Sequence, residues 1–69
     1  MTITRDSLLD VAEDIVRNEG AKALTIGALA SAAGISKGGV QYSFASKDDL
    51  VRALIKRWTQ QFDALVETD

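Results

Sequence analysis

The sequence contains no cysteine, no histidine and no proline. Without cysteine the chain can form no disulfide bond and offers no thiolate to a metal ion. Without histidine it lacks the commonest general base and the commonest neutral metal ligand. Carboxylates and lysines remain, but Asp48 and Asp49, which are adjacent, stand at a predicted helix start, where acids stabilise the helix dipole. We therefore expect neither an enzyme nor a bound metal or other cofactor.

Long hydrophobic runs are also missing from the chain. No apolar segment approaches the roughly 20 residues of a membrane span, and the N-terminus lacks the apolar core of a signal peptide. The 69 residues, 46% of them hydrophobic, suffice for one small folded domain near the lower limit of size. We expect a cytoplasmic protein with no membrane partner.

The net charge of −2 at first argues against nucleic acid as a partner. Its distribution argues the other way, because residues 21–47 contain Lys22, Lys37 and Lys47 and no acidic residue. The acids lie in the segments before and after this stretch. The local field matters more than the sum when a phosphate backbone approaches one face of a protein. Three lysines are a modest footprint, so the charge pattern supports a DNA-binding function without establishing it.

The acid-free stretch also carries the pattern of a helix-turn-helix. Thr25 can cap a first helix whose apolar residues recur at helical spacing, and Gly34 follows where a left-handed residue commonly ends a helix. Ser36 can cap a second short helix from Lys37 to about Phe44. Two short helices joined by a tight turn with a glycine describe a helix-turn-helix. The apolar residues of the first helix are Ile26, Leu29, Ala30 and Ala33.

Within the second short helix, Val40 and Phe44 lie four residues apart and are expected to face the core. Gly38 and Gly39 are adjacent near its start, where each costs about 1 kcal/mol in helix propensity. Glycines make sense where the backbone must come close to another surface, such as a groove or a phosphate. Loop flexibility is the alternative explanation for the pair.

Two longer amphipathic helices flank this unit. The first is predicted from Arg5 to Asn18, with Gly20 as a left-handed cap and Leu24 tucked back under the bundle. The fourth is predicted from a Ser46 cap to about Val66. Its apolar stripe is too long for three helices to cover, so the part from Trp58 onward should project from the bundle. The stripe consists of Leu50, Val51, Leu54, Ile55, Trp58, Phe62 and Leu65.

The predicted fold is therefore all-α: a three-helix bundle with a helix-turn-helix, followed by a fourth helix. We place the helix-turn-helix domain at residues 1–46 and the connecting helix at residues 47–69. The function indicated is sequence-specific DNA binding. The alternative is a helical protein-interaction module that uses the surface of residues 37–47 and the apolar stripe of the fourth helix.

From about Leu8 to Trp58 the chain resembles the N-terminal domain of the TetR (tetracycline-repressor) family of bacterial transcription factors. The family has an apolar helix ending near a glycine, then a threonine-led helix. The motif G-[VI]-S-K-G-x-[LV]-x-x-x-F-x-[SN]-K-x-x-L follows. Here the motif begins Gly34-Ile35-Ser36-Lys37-Gly38-Gly39-Val40 and continues with Phe44, Ser46, Lys47 and Leu50.

The resemblance implies that three helices bind DNA and that the fourth leads into a helical C-terminal domain, which dimerises and binds a small-molecule effector. The chain then looks like an N-terminal fragment without that domain; a complete small protein that associates through its apolar stripe is the other interpretation. Full-length homodimers in this family occupy pseudo-palindromic DNA operators. Members of the family usually repress transcription until the effector binds and relieves the repression.

The resemblance also implies roles for single residues. Thr25 would cap the first helix of the helix-turn-helix and bind a phosphate. Lys37, at the start of its second helix, would reach a phosphate or a guanine. The glycines Gly38 and Gly39 would lie close to the DNA. Tyr42 would contact a phosphate or a thymine methyl group, and Lys47 would contact a phosphate at the start of the fourth helix. The predicted DNA-binding residues are Thr25, Lys37, Gly38, Gly39, Gln41, Tyr42, Ser43 and Lys47.

Several positions depart from the family pattern. The family usually has Thr, Ser or Ala at position 39, an aromatic residue at 41, Tyr or His at 43 and often Pro at 45. Gly27 stands where an arginine or another polar residue often touches DNA. Gln41 can pair with adenine through two hydrogen bonds, which an aromatic residue cannot do. We therefore predict Gln41 as the main specificity residue.

Overall fold

The computed structural model describes residues 4–66, with side chains for residues 4–61. This part of the chain is helical and contains no strand, which confirms the all-α prediction. A single 3-10 turn, Ala21–Ala23, joins the first two helices. The helices are α1 (Arg5–Glu19), α2 (Ile26–Ala33), α3 (Lys37–Ser43) and α4 (Lys47–Val66).

Each helix begins at a side-chain hydroxyl. The oxygens of Thr4, Thr25, Ser36 and Ser46 each accept a hydrogen bond, 2.9–3.3 Å long, from the backbone N–H three residues later. These bonds satisfy one of the N–H groups that have no partner inside the helix. The predicted caps at Thr25, Ser36 and Ser46 are confirmed.

Glycines follow the first two helices, but in different conformations. Gly34 is left-handed, with φ 74° and ψ 28°, as predicted. The next N–H, that of Ile35, donates to the Ala30 carbonyl at 3.0 Å and closes the end of α2. Gly20 caps α1 as predicted, with a positive φ of 93° and its N–H donating to the Val16 carbonyl, but its ψ of 162° is not that of a left-handed helical residue. The 3-10 turn Ala21–Ala23 follows it directly.

The core lies where α1 crosses the helix-turn-helix and the first half of α4. Phe44 is the largest fully buried side chain, and Leu24 is buried beneath the bundle as predicted. The two residues predicted to anchor α3, Val40 and Phe44, are both 0% exposed. The buried residues are Leu8, Leu9, Ala12, Ile15, Leu24, Leu29, Ala30, Val40, Phe44, Leu50 and Leu54.

The helix α4 is covered only in part. Leu50 and Leu54 are buried, whereas Ile55 is 53% and Trp58 is 41% exposed. The sequence predicts that Trp58 projects from the bundle. In the structure it is instead attached to α1, because its Nε1–H donates to Glu13 Oε1 at 2.9 Å. The side chains of Phe62 and Leu65 lie outside the described residues. Across the described part of the chain, no helix has the length and apolar character needed to cross a bilayer.

Candidate nucleic-acid interface

The short helix α3 presents nearly all of its surface to solvent. Successive residues lie about 100° apart around a helix, so Gly38 and Tyr42 lie roughly opposite the buried Val40. Tyr42 is 94% exposed, although its aromatic ring would ordinarily be at least partly covered. An outward face with two glycines and one bare tyrosine leaves the α3 backbone accessible to a large partner.

The other predicted site residues, apart from Ser43, are also exposed. Lys37, Gly39 and Gln41 are exposed on α3 itself, and Ser43 is half-buried at its end. Thr25 is exposed at the start of α2, and Lys47 is exposed at the start of α4. The predicted site residues thus belong to the starts of α2 and α4 and to α3, which lies between them in the sequence.

A direct spatial link joins the starts of α2 and α3. A Cβ placed on Gly27 would lie 3.1 Å from Lys37 Cε and 3.7 Å from Lys37 Nζ. The same point is 4.0 Å from Thr25 Oγ1. The Lys37 side chain therefore lies across α2 at the position without a side chain. Its ammonium and the Thr25 hydroxyl both lie within 4.0 Å of this point, beside the first turn of α2.

The first turn of α2 also has backbone N–H groups without an intrahelical acceptor. The Ala28 N–H is satisfied by Thr25 Oγ1, but those of Ile26 and Gly27 precede the first internal helical bond. The N–H groups, the hydroxyl and the ammonium together could donate to the oxygens of an anion. Such an arrangement suits a phosphate group.

Acidic residues border the interface on one side. Asp48 and Asp49 occupy the first turn of α4 directly after Lys47, and both are exposed. They lie favourably for the dipole of α4. Among the described residues, no group of three or more carboxylates is placed to hold a metal ion.

Two residues near this surface have roles that sequence reasoning missed. In the sequence Gly27 is only a departure from a family pattern, whereas the structure shows that it accommodates the Lys37 side chain. The sequence predicts no contact for Arg5, yet its Nη1 donates to the Ser43 carbonyl at the end of α3, at 2.9 Å. The partners lie 10 and 38 residues apart in the chain, and no local pattern reports such contacts.

A separate apolar groove lies between α1, the 3-10 turn and α4. Its walls include the half-buried Val16 and Val51 and the exposed parts of Ile55 and Trp58. The candidate interface described above shares none of these residues. The molecule therefore has a polar surface around α3 and a distinct apolar one along α4.

Comparison with known families identifies one match. The sequence profile of the family described as "Bacterial regulatory proteins, tetR family" matches residues 8–54, which cover α1 from Leu8 onward, α2, α3 and the buried half of α4. Neither a comparison with curated proteins nor one with solved structures finds a significant match. The matched segment includes every residue of the candidate interface.

Proposed function

The chain belongs to the tetR family of bacterial regulatory proteins, and from that premise we propose that α3 reads DNA sequence in the major groove. The observation that carries the proposal is the outward face of α3, where Tyr42 is 94% exposed and only Val40 is buried. The major groove admits a helix and displays a distinct pattern of donors and acceptors for each base pair. The regulatory DNA-binding domain of this family is not a catalytic one.

Phosphates would be bound on both sides of α3. Thr25 and Lys37, together at the first turn of α2, form one such contact, supported by the nearby N–H groups of the helix start. Lys47 at the start of α4 forms another, and the hydroxyl of Tyr42 can add a third. Phosphate contacts fix the position of a protein on the duplex and carry no sequence information themselves.

Base reading would fall to the residues between these contacts. Gln41 is exposed and can bind adenine through its amide with two hydrogen bonds. Gly38 and Gly39 allow the backbone to approach the groove closely, and Ser43 offers a small hydroxyl at the end of α3. We propose Gln41 as the residue that sets the main base preference.

The regulator as a whole would act as a cytoplasmic homodimer. In this proposal residues 1–46 bind DNA, and residues 47–69 connect them to a C-terminal domain. The apolar groove beside Ile55 and Trp58 supports such a further packing surface. Two copies of α3 about 34–36 Å apart would match a pseudo-palindromic operator. A small-molecule effector that changes this spacing would release the DNA and relieve repression.

Selection from a pool of randomised duplex DNA tests the proposal. We expect enrichment of a short half-site, with affinity falling as salt rises, because bound phosphates release counterions. A single domain lacks the gain from two linked sites, so the chain should also be fused after α4 to a dimerising coiled coil. If the fused dimer selects no sequence, the surface of residues 37–47 is better explained as a protein-interaction site.

Substitution of Gln41 by Ala tests the assignment of base specificity. Repeating the selection with this variant should remove one strong base preference, since a good bidentate contact is worth about 1–3 kcal/mol of discrimination. Ser31→Ala, on the exposed side of α2, serves as the control and should leave the selected site unchanged. An unchanged preference in the Gln41 variant would contradict the assignment.

A further inference from the structure

The end of α3 is tied to the start of α1 by one side chain. Arg5 lies in the first turn of α1, and its Nη1 donates to the carbonyl oxygen of Ser43, the last residue of α3, at 2.9 Å. The guanidinium carbon also lies 4.5 Å from the centre of the Phe44 ring. Arg5 therefore contacts both the last turn of α3 and the aromatic residue that anchors it.

This contact supplies what α3 lacks. The last carbonyls of a helix have no partner inside it, and a cation near them interacts favourably with the helix dipole. The last turn of α3 contains no basic residue of its own. The helix is seven residues long and includes two glycines, so its own propensity to form is low. Val40, Phe44 and the bond from Arg5 are among the contacts that hold it against the rest of the fold.

We propose that Arg5 is a positioning residue that sets the orientation of α3 for base reading. The inference rests on the proposed function of α3. Gln41 lies in the turn whose end Arg5 holds, so loss of the tie shifts its amide relative to the bases. Thr25 and Lys47 lie at the starts of other helices, and Lys37 lies at the opposite end of α3, so their proposed phosphate contacts do not depend on the tie. Sequence-specific binding therefore needs Arg5 more than non-specific binding does.

The competing role is direct contact between Arg5 and a phosphate, since a guanidinium has donors to spare. The two roles differ in salt dependence. Loss of a phosphate contact reduces the magnitude of the slope of log affinity against log salt by about 0.9, and it weakens binding to every duplex. Loss of a positioning residue leaves the slope unchanged and weakens binding to the selected site only.

The test uses Arg5→Met, which keeps an unbranched side chain but removes the charge and every donor, and Arg5→Lys as the conservative variant. Arg17→Ala, on the exposed face of the same helix, is the control. Affinities are measured across a salt series for the selected operator and for a random duplex of equal length. Circular dichroism sets a temperature at which the variants are folded.

We expect Arg5→Met to lose about tenfold in affinity for the operator and less than about twofold for the random duplex, with an unchanged salt slope. Arg5→Lys should lose about threefold on the operator, and Arg17→Ala should match the wild type. Equal losses on both duplexes with a lower slope, or no loss on the operator, would overturn the proposal. If Arg5→Met does not fold, Arg5→Lys decides. A ratio of operator affinity to random-duplex affinity equal to that of the wild type overturns the proposal, and a lower ratio supports it. A wild type without any preference would instead overturn the function proposed for α3.

Discussion

Gly38 is a residue that the fold of this domain does not require. It lies inside α3 and does not have a positive φ, in contrast to Gly20 and Gly34. A Cβ at position 38 would meet only Ser36 Oγ, at an ordinary contact distance of 3.8 Å. Glycine in a helix costs roughly 0.5–1 kcal/mol relative to alanine. The described fold therefore gives no reason for a glycine here, and close approach to DNA stays the proposed one.

Substitution of Gly38 by Ala should separate stability from binding. We expect the free energy of unfolding to rise by about 0.5–1 kcal/mol, because alanine favours the helix and has room there. Affinity for the selected operator should fall, because the added methyl group holds the backbone away from the DNA. Urea unfolding followed by circular dichroism and DNA titration measure the two effects.

Gly34→Ala is the matched control for the stability measurement. Residue 34 is left-handed, with φ 74°, so alanine there should destabilise the domain by roughly 1–2 kcal/mol. Opposite signs for the two glycines would show that only one of them serves the fold. If Gly38→Ala bound the operator as tightly as the wild type, close approach of α3 to the DNA would not explain the glycine.

At single residues, the sequence predicted what depends on local chemistry. A hydroxyl before an apolar helix pattern predicted the caps at Thr25, Ser36 and Ser46, because the accepting oxygen and the donor N–H lie three residues apart. The cap at Gly20 is predicted too, but its ψ goes with the 3-10 turn that follows directly, and the sequence pattern does not predict that turn. The packing of Lys37 over Gly27 depends on how α2 and α3 cross. No local pattern records that angle. The roles in DNA binding assigned to the interface residues stay predictions.

At the scale of elements, α4 is joined to α1 by a polar network beside the core. Arg57 Nη2 donates to Asp10 Oδ1 at 2.6 Å, and Arg57 Nη1 lies 3.5 Å from Glu13 Oε1. Trp58 Nε1 donates to the same Glu13 oxygen. The apolar periodicity of α4 predicted the buried Leu50 and Leu54. It did not predict this network, whose partners are more than 40 residues apart.

The Arg57 guanidinium of this network stays positively charged near pH 7. The hydrogen bond to Asp10, and secondarily the nearby negative charges, raise the pKa of Arg57 above its ordinary value. A raised pKa means that the stabilisation is complete at every pH below the ordinary value. It is lost only as pH rises through the raised pKa, which lies far above neutrality. The attachment of α4 through Arg57 is therefore insensitive to pH near 7.

Trp58→Phe tests whether the indole N–H attaches α4 to α1. Phenylalanine keeps most of the ring but cannot donate to Glu13, so the free energy of unfolding should fall by about 1 kcal/mol. A double-mutant cycle with Glu13→Ala isolates the pair, and we expect a coupling energy of roughly 0.5–1 kcal/mol. Thermal and urea unfolding followed by circular dichroism give the four free energies. Strictly additive effects would mean that the bond contributes nothing.

At the scale of the whole molecule, the charge is separated along the fold. The acids of α1 lie on its exposed face or in the network with α4, while the stretch from residue 21 to residue 47 has none. The net charge of −2 would repel DNA if the molecule acted as a uniform sphere. The fold class and the helix-turn-helix followed from helical periodicity and the family resemblance. Which charges would face the DNA depends on how the helices pack, and the sequence pattern does not predict that packing.

Two lysines on the same helix can decide whether local or total charge governs binding. Lys47 opens α4 at the proposed interface, and Lys56 lies nine residues further on, about 13.5 Å along the axis. Both are exposed, and replacement of either by alanine changes the net charge equally. If the local field governs binding, Lys47→Ala should weaken binding to all duplexes. It should also reduce the magnitude of the slope of log affinity against log salt by about 0.9. Lys56→Ala should leave both the affinity and the slope close to those of the wild type. Equal effects of the two substitutions would mean that the total charge of the molecule sets its affinity, and that Lys47 contacts no phosphate.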